Sequence, residues 1–209
     1  MRARLLGVLL LALTLALPGW AQPATAPTLA ELQRQIVQVA VLRGEFVQEK
    51  QVPGFRQPLR SQGDFLLARE RGVLWQTRKP FPSELVLTRD RILSRQPDGR
   101  SRVELDARQQ PALATVNATM FALLRGDLQA LTARFALQPE WLAGGSWRLR
   151  LTPKSGALAQ AFSVVTLEGD RYVRRVELVE RGGARSVLTF SALRESPAQL
   201  SADEARRFD

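Results

Sequence analysis

Short runs of alternating apolar and polar residues, each ended by a glycine or proline turn, fill this chain from about residue 42 to residue 193. A period of two is typical of β-strands, and closely spaced turns favour antiparallel neighbours. The expected strands are a first one from Leu42 and then Leu59–Arg69, Val73–Arg78, Glu84–Thr88, Arg91–Arg95, Arg102–Leu105, Arg134–Trp141, Ser146–Thr152, Ala161–Glu168, Arg171–Glu180 and Ala184–Leu193.

Helical patterns occur beside these strands. A helix is predicted to begin at Thr28, whose hydroxyl forms a capping box with the carboxylate of Glu31, and its apolar stripe reaches Val39. Two more helices are predicted at residues 117–124 and 127–133. A sheet of this size must curl or close. The prediction is therefore an α+β, mainly β, fold: an incomplete, strongly curved antiparallel β-barrel of about 10–11 strands with a lid of two or three helices.

The N-terminal segment has the features of a secretory signal peptide. Arg2 and Arg4 precede an apolar run over residues 5–17, and small residues flank a cleavage site after Ala21. A membrane anchor is the alternative, but a span needs about 20 apolar residues, which is more than this run provides. We therefore expect residues 1–21 to be a signal peptide that is cleaved.

The rest of the chain is expected to be one domain. Residues 22–27 form a short Pro/Ala linker and residues 28–209 the folded part. Because the sequence has no cysteine, a lipidated N-terminus of the kind found in bacterial lipoproteins is excluded. The expected location is the periplasm, as a soluble protein.

Composition excludes most catalytic chemistry. Cysteine and histidine are both absent, which removes thiol nucleophiles, thiolate metal sites and the commonest general base. We expect no enzyme activity, no catalytic residue, no metal and no cofactor. The 30 lysines and arginines outnumber 20 acids, but they are spread along the chain without an aromatic stacking surface, so nucleic acid is not expected as a partner. An arginine-rich genome and a basic surface for an anionic membrane or acidic partner remain alternatives.

Several apolar residues on neighbouring strands are expected on the same face of the sheet, and a dense apolar helix could cover that face. This pattern predicts a ligand cavity between the sheet and the helices. A core filled by side chains is the alternative. The candidate cavity residues are Phe46, Phe65, Leu67, Val73, Trp75, Met120, Phe121 and Leu124. Arg69 lies an even number of residues from Phe65 and Leu67, so its side chain is expected on the same face of the strand. An inward-facing Arg69 would need polar partners, such as helix C-terminal carbonyls, and could latch a lid that a ligand opens.

Several short motifs resemble one family. Residues 42–48 (LRGEFVQ) are similar to the first-strand motif of the LolA-like outer-membrane lipoprotein carrier family. Residues 62–69 (QGDFLLAR), followed by Trp75 and Lys79-Pro80, resemble its "G-x-x–apolar–Arg-Pro–x–aromatic-x-Trp…Pro" signature, although Glu70 stands where the family usually has proline. The resemblance spans nearly the whole predicted domain, and the chain resembles a divergent member of the family.

The resemblance implies a function. Members of this family ferry acylated cargo across the periplasm, so the expected partners are a lipoprotein or other acylated lipid, inner-membrane donor and outer-membrane acceptor proteins, and, transiently, the membrane surface. It also implies that Arg69 ties the lid to the barrel and that Trp75 is a cavity residue. The chain is expected to be a monomer. A lipid-sensing regulatory domain of the same fold, which binds a protein partner, is the alternative function.

Overall fold

The computed structural model describes residues 27–95, 101–106, 118–119 and 121–208. The described strands are β1 (Val41–Gln51), β2 (Leu59–Ala68), β3 (Gly72–Lys79), β4 (Ser83–Leu87), β5 (Arg91–Arg95), β6 (Ser101–Asp106), β7 (Phe135–Trp141), β8 (Trp147–Pro153), β9 (Phe162–Gly169), β10 (Val173–Glu180) and β11 (Arg185–Arg194). The described helices are α1 (Leu29–Gln35), α2 (residues 118–119 and 121–125), α3 (Leu128–Thr132), α4 (Gly156–Ala161) and α5 (Ala202–Arg206), with a 3-10 turn at Ala143–Gly145.

All eleven strands form one antiparallel sheet. Their order is β6-β5-β4-β3-β2-β1-β11-β10-β9-β8-β7, so the first and last strands of the chain pair in the middle of the sheet. The two edge strands, β6 and β7, are not hydrogen-bonded to each other. The sheet is therefore an incomplete barrel, and the predicted mainly β fold with a helical lid is confirmed.

Alternation along the strands gives the sheet two apolar faces. On the concave face, the large core includes Phe46, Phe65 and Leu167. On the convex face, a smaller cluster includes Leu66 and Leu74, which are the sequence neighbours of concave residues. Because successive side chains of a strand point to opposite faces, one β2 run supplies both clusters. The concave cluster is the one that the lid covers.

Helix α1 begins as predicted but ends earlier. The Glu31 amide donates to Thr28 Oγ1 (3.2 Å) and the Thr28 amide donates to Glu31 Oε2 (2.8 Å), which completes the capping box. The predicted stripe extended to Val39, which was wrong. Ile36 is already extended, and the amide of Val37 donates to the carbonyl of Arg171 (2.8 Å) in the β9–β10 turn. This tertiary hydrogen bond takes the place of another helical turn.

Helices α2 and α3 complete the lid. The predicted helix over residues 117–124 is seen in its described part, while Asn117 and Met120 lie outside the described residues. Asp127 caps α3, because its Oδ1 accepts from the amide of Ala130 (3.1 Å). Gln33 of α1 binds the turn between the two helices: its Nε2 donates to the Gly126 carbonyl (3.2 Å) and its Oε1 accepts from the Leu128 amide (2.8 Å). The three lid helices are thus held together.

Two helices were not predicted. Residues 153–160 were expected to be a plain connection, but α4 begins there at Gly156, which has a positive φ, and ends at Ala161. Helix α5 belongs to a C-terminal strap, residues 195–208, that crosses the convex face and buries Phe208 in its cluster. Its signal was present in the sequence as Ser201-Ala-Asp-Glu204, a second capping box.

The predicted signal peptide and residues 22–26 of the linker lie outside the described residues. None of the helices in the described ranges is long and apolar enough to cross a membrane.

Candidate functional site

Four aromatic rings form the floor of the concave face. Phe46 stacks on Trp75 with ring centroids 3.9 Å apart, and Phe65 meets Phe190 edge-on at 5.2 Å. Trp75 also contacts the rings of Phe65 and Phe190, at 6.4 and 6.2 Å. The rings come from β1, β2, β3 and β11, which are consecutive strands of the sheet. Strand pairing therefore assembles this cluster from positions far apart in the sequence.

An apolar cavity lies between this floor and the lid. Its lining comes from strands, from the lid and from the α1–β1 connection, and consists of Ile36, Val37, Val39, Leu42, Phe65, Leu67, Arg69, Val73, Leu124, Arg125, Tyr172, Val173 and Phe190. Its volume is about 30 Å³. This space admits at most a few water molecules, far less than an acyl chain of roughly sixteen carbons requires. The described conformation is therefore closed, and an acyl chain could enter only if the lid moved.

Arg69 borders this cavity, as its phase with Phe65 and Leu67 predicted. Its Nε donates to the carbonyl of Val39 (3.2 Å) and its Nη2 donates to the side-chain oxygen of Gln38. Its own amide donates to the Ala40 carbonyl (2.9 Å). The suggested partners, carbonyls at a helix C-terminus, were wrong. Arg69 instead binds the extended segment between α1 and β1.

Arg125 makes the connection between α2 and the β2–β3 turn. Its Nη1 donates to the carbonyl of Arg69 (3.3 Å), and its Nη2 lies 3.5 Å from Asp127 Oδ2. Its Nε is buried without a hydrogen-bond partner among the described residues. The lid is therefore tied to the barrel at two points, the Arg69 side chain and the Arg69 carbonyl. The sequence analysis named only Arg69 as a latch, and that role stays a prediction.

A second cavity of about 210 Å³ adjoins the apolar one and shares Arg69 and Arg125 with it. Its other lining residues are Glu70, Arg71, Arg89, Ala118, Phe121, Ala122, Asp127 and Ala130. Four arginines against two carboxylates make this outer groove cationic, and the α2 residues make one wall apolar. The apolar cavity thus continues outward into a groove of mixed character.

Tyr172 closes the cavity at the β9–β10 turn. Its hydroxyl donates to the carboxylate of Glu195, and this hydrogen bond raises the pKa of Tyr172 above its ordinary value. The guanidinium carbons of Arg171 and Arg174 lie 5.8 and 5.4 Å from the centre of the tyrosine ring. These contacts fix the ring between the cavity and the start of the C-terminal strap.

The predicted site residues fall into three groups. Those that line the apolar cavity are Phe65, Leu67, Arg69, Val73 and Leu124. Phe46 and Trp75 lie behind this lining in the aromatic floor, and Phe121 lines the outer groove. Met120 is outside the described residues.

Sequence reasoning missed eight of the thirteen lining residues. Phe190 could have been found, because it lies two residues after Leu188 on a predicted strand and therefore shares its face. Ile36 was recognised as helical but belongs to the connection. Tyr172 comes from the β9–β10 turn and Val173 from the start of β10, and their place at the cavity depends on sheet curvature. Among the described residues, no group of three or more His, Cys, Asp or Glu residues could hold a metal ion.

Comparison with known proteins supplies the family. The profile described as "Outer membrane lipoprotein carrier protein LolA" matches residues 37–204. The outer-membrane lipoprotein carrier protein of Ralstonia nicotianae is 29% identical over 204 residues, which cover 91% of this chain and 87% of that protein.

The solved structures that this chain resembles include a LolA superfamily protein from Nitrosomonas europaea. Its TM-score is 0.44 and its identity 12%, and the match covers 79% of this chain and 90% of that chain. The Pseudomonas aeruginosa MucA/MucB complex has a TM-score of 0.41 and 18% identity, and covers 84% of this chain and 59% of that chain. The family profile covers most of the sequence, including every strand from β1 to β11. The chain therefore belongs to the LolA family of outer-membrane lipoprotein carriers.

Proposed function

We propose that the chain is a periplasmic carrier that shields the acyl chains of a lipoprotein or another acylated lipid while it moves between the inner and outer membranes. The observation that carries the proposal is the apolar cavity between curved sheet and helical lid in a member of this family. An inner-membrane donor and an outer-membrane acceptor protein would load and unload it. Export by a cleaved signal peptide, residues 1–21, is part of the proposal.

Each candidate residue that the structure describes has a role in this mechanism. The acyl chain would contact Phe65, Leu67, Val73 and Leu124, with Phe46 and Trp75 as the floor beneath it. Phe121 faces the outer groove, where the polar part of the cargo would lie. Arg69 would act as the latch.

The energetics suit a carrier. Burial of acyl chain is worth about 0.8 kcal/mol per CH₂, so exposing a chain of roughly sixteen carbons to water costs about 12 kcal/mol. A cavity that offsets most of this cost makes transit through water possible. The closed lid opposes binding, because its hydrogen bonds must break before a chain enters. This opposition favours release, which a carrier also needs.

Loading would begin at the latch. When the α1–β1 segment moves away from β2, the bonds from Arg69 to Val39 and Gln38 break. The arginine side chain then turns toward the outer groove, where water or a polar cargo group can solvate it. The lid helices would move together, because Gln33 joins α1 to the α2–α3 turn. Unloading reverses these steps.

The proposal is tested by native mass spectrometry of protein purified from the periplasm, before and after solvent extraction. We expect a chain that begins at Gln22 with a bound acylated molecule. The cavity variant Leu124→Trp should carry less of it, because the larger side chain fills the lining. The control is Leu137→Trp, a partly buried position on β7 outside the cavity.

The carrier function would be contradicted if the purified protein repeatedly contained no bound lipid and did not bind added diacyl lipids. That result, together with capture of a protein partner, would favour the regulatory alternative. Equal loading of both tryptophan variants would contradict the assignment of this cavity.

A further inference from the structure

Three hairpin tips lie at one rim of the sheet. They are the β1–β2 loop (residues 52–58), the β3–β4 loop (residues 80–82) and the β10–β11 loop (residues 181–184). Their strands are consecutive in the order β4-β3-β2-β1-β11-β10 and antiparallel, so every second turn lies at the same rim. A Cβ on Gly183 would lie 3.3 Å from Pro53 Cγ, which shows that two of the tips touch.

Large apolar side chains are exposed at this rim. Phe81 is 81% exposed, Phe55 57% and Leu59 53%, and Val103 on β6 is the other large apolar residue with comparable exposure among those described. Phe81 stands between Pro80 and Pro82, whose rings restrict the backbone and hold it at the tip of its turn. Three of the four large exposed apolar side chains among the described residues share this one rim instead of being scattered over the surface, and such grouping is typical of an interaction site.

The charged residues of these loops, together with Lys79 at the end of β3, are all positive. Arg56, Lys79 and Arg181 are exposed, and no described carboxylate lies within ion-pair distance of any of them. Lys50 next to this rim is neutralised, because its Nζ lies 2.8 Å from Glu180 Oε1. We call Phe55, Leu59, Phe81, Arg56, Lys79 and Arg181 the tip surface.

The opposite rim has a different charge pattern. Its turns at residues 69–71, 88–90 and 170–172 each contain an acid, namely Glu70, Asp90 and Asp170. Positive charge without acid is therefore a property of the described loops at the tip rim and not of every turn in this arginine-rich chain. An arginine-rich genome would not by itself produce this asymmetry.

We propose that the tip surface docks the protein reversibly on an anionic phospholipid membrane. Phenylalanine side chains at separate tips can enter the boundary between headgroups and acyl chains, and the adjacent cations then face the phosphates. A fluid lipid surface accommodates separate protruding tips, whereas a protein partner needs a continuous complementary surface. The charge complementarity and the protruding geometry together favour the membrane.

This docking surface is independent of the cavity latch. Strand β2 runs from Leu59 at the tip rim to Ala68, next to Arg69 at the opposite rim. Ten residues of strand span on the order of 30 Å. Docking through the tips would therefore leave the lid free to open, and it would occur whatever the cavity holds. The inference goes beyond the proposed carrier function and can fail separately from it.

The test is co-sedimentation of the mature chain with phosphatidylcholine vesicles and with vesicles that also contain about a third phosphatidylglycerol. We expect binding to the anionic vesicles that weakens as salt is raised. Phe55→Ser with Phe81→Ser should abolish most of it. Arg56→Gln with Lys79→Gln should weaken it about fivefold for each charge removed, which is the value of about 1 kcal/mol per cation. The control is Val103→Ser, which removes an exposed apolar side chain from the edge strand β6 instead of the tips.

A second measurement locates the contact. The chain has no cysteine, so Ser83→Cys and Glu70→Cys each provide a single site for an environment-sensitive fluorophore, one beside the tip surface and one at the opposite rim. Only the label at residue 83 should shift to the blue on anionic vesicles. The proposal would be overturned by absence of vesicle binding, by equal fluorescence shifts at both sites, or by tip variants that bind like the wild type. Acyl loading in the tip variants should be normal, which separates this outcome from failure of the carrier function.

Discussion

Arg43 and Glu204 lie 161 residues apart in the sequence and form a doubly hydrogen-bonded ion pair on the convex face of the sheet. Arg43 Nε donates to Glu204 Oε1 (2.8 Å) and Nη2 donates to Oε2 (2.7 Å), while Nη1 donates to the Pro197 carbonyl (2.7 Å). Both side chains are largely buried. The pair joins β1, at the centre of the sheet, to the C-terminal strap.

The ion pair should contribute measurably to stability. In a double-mutant cycle of Arg43→Met and Glu204→Gln, we expect a coupling energy of about 2 kcal/mol, because the hydrogen bonds are charge-assisted and partly desolvated. Urea denaturation measures it. The cycle of Asp203→Asn with Arg206→Met is the control, since that pair is exposed on the same helix and should couple by less than about 0.5 kcal/mol. Equal coupling in both cycles would contradict the structural role.

The same pair predicts acid sensitivity. The hydrogen bonds from Arg43 lower the pKa of the Glu204 carboxyl from its ordinary value to about 2. The folded-state pKa lies below the unfolded one, so this carboxylate contributes its full stability above about pH 4.5 and loses it as the pH falls through about 2. The free energy of unfolding, measured by urea titration from pH 5 to pH 2, should therefore fall less steeply in Glu204→Gln.

Other carboxyls remain in that variant. The pKa of Glu177 is also lowered, by its hydrogen bond from Arg185, so part of the acid slope should persist. Asp203→Asn is the matched control and should follow the wild type. A Glu204→Gln curve parallel to the wild type would be inconsistent with the shifted carboxyl.

Removing the Arg69 side chain should loosen the lid more than the fold. Arg69→Leu loses the bonds to Val39 and Gln38 but keeps an apolar side chain beside the cavity. We expect faster amide hydrogen exchange in α1 and the α1–β1 segment, with a change in unfolding free energy of no more than about 1 kcal/mol. Arg150→Leu, at an exposed position on β8, is the control. Unchanged exchange in a normally folded Arg69→Leu variant would rule out the latch.

Ligand entry should move the lid, because the cavity of about 30 Å³ has no space for an acyl chain. Spin labels on Glu70→Cys and Gln129→Cys report the distance between the β2–β3 turn and α3, both at exposed positions. We expect this distance to lengthen when a fatty acid is added. Labels on Glu70→Cys and Gln76→Cys, both on the sheet side, should keep their separation. Constant distances in both pairs, with ligand bound, would place the ligand elsewhere.

The turn between α2 and α3 should tolerate no side chain. Gly126 has φ +60°, and a Cβ there would lie 2.7 Å from Ile36 Cγ2. Gly126→Ala should therefore destabilise the protein by about 2 kcal/mol or more, by strain together with displacement of a cavity residue. Gly144→Ala shares the positive φ but meets open space, so thermal denaturation of the two variants isolates the contact with Ile36. Equal losses would mean that strain alone is responsible.

Much of the sheet could be predicted from local pattern. The predicted strands at Val73–Arg78, Arg134–Trp141 and Ser146–Thr152 each overlap an observed strand within two residues at either end. The reason is that a strand with two different faces must alternate, and a hairpin must turn at residues that permit it. The face that Phe65 and Leu67 share followed from the same rule.

The sequence by itself determined the mainly β class, the strand positions and the inward phase of Arg69, because these depend on periods within a few residues. Only the tertiary structure decided what those residues meet. Pairing of β1 with β11 brought Phe190 into the aromatic floor, and a hydrogen bond to the Arg171 carbonyl ended α1 and placed the Val39 carbonyl beside Arg69. Such contacts join segments separated by tens to more than a hundred residues. They depend on the curvature and strand order of the whole sheet, which no local pattern contains.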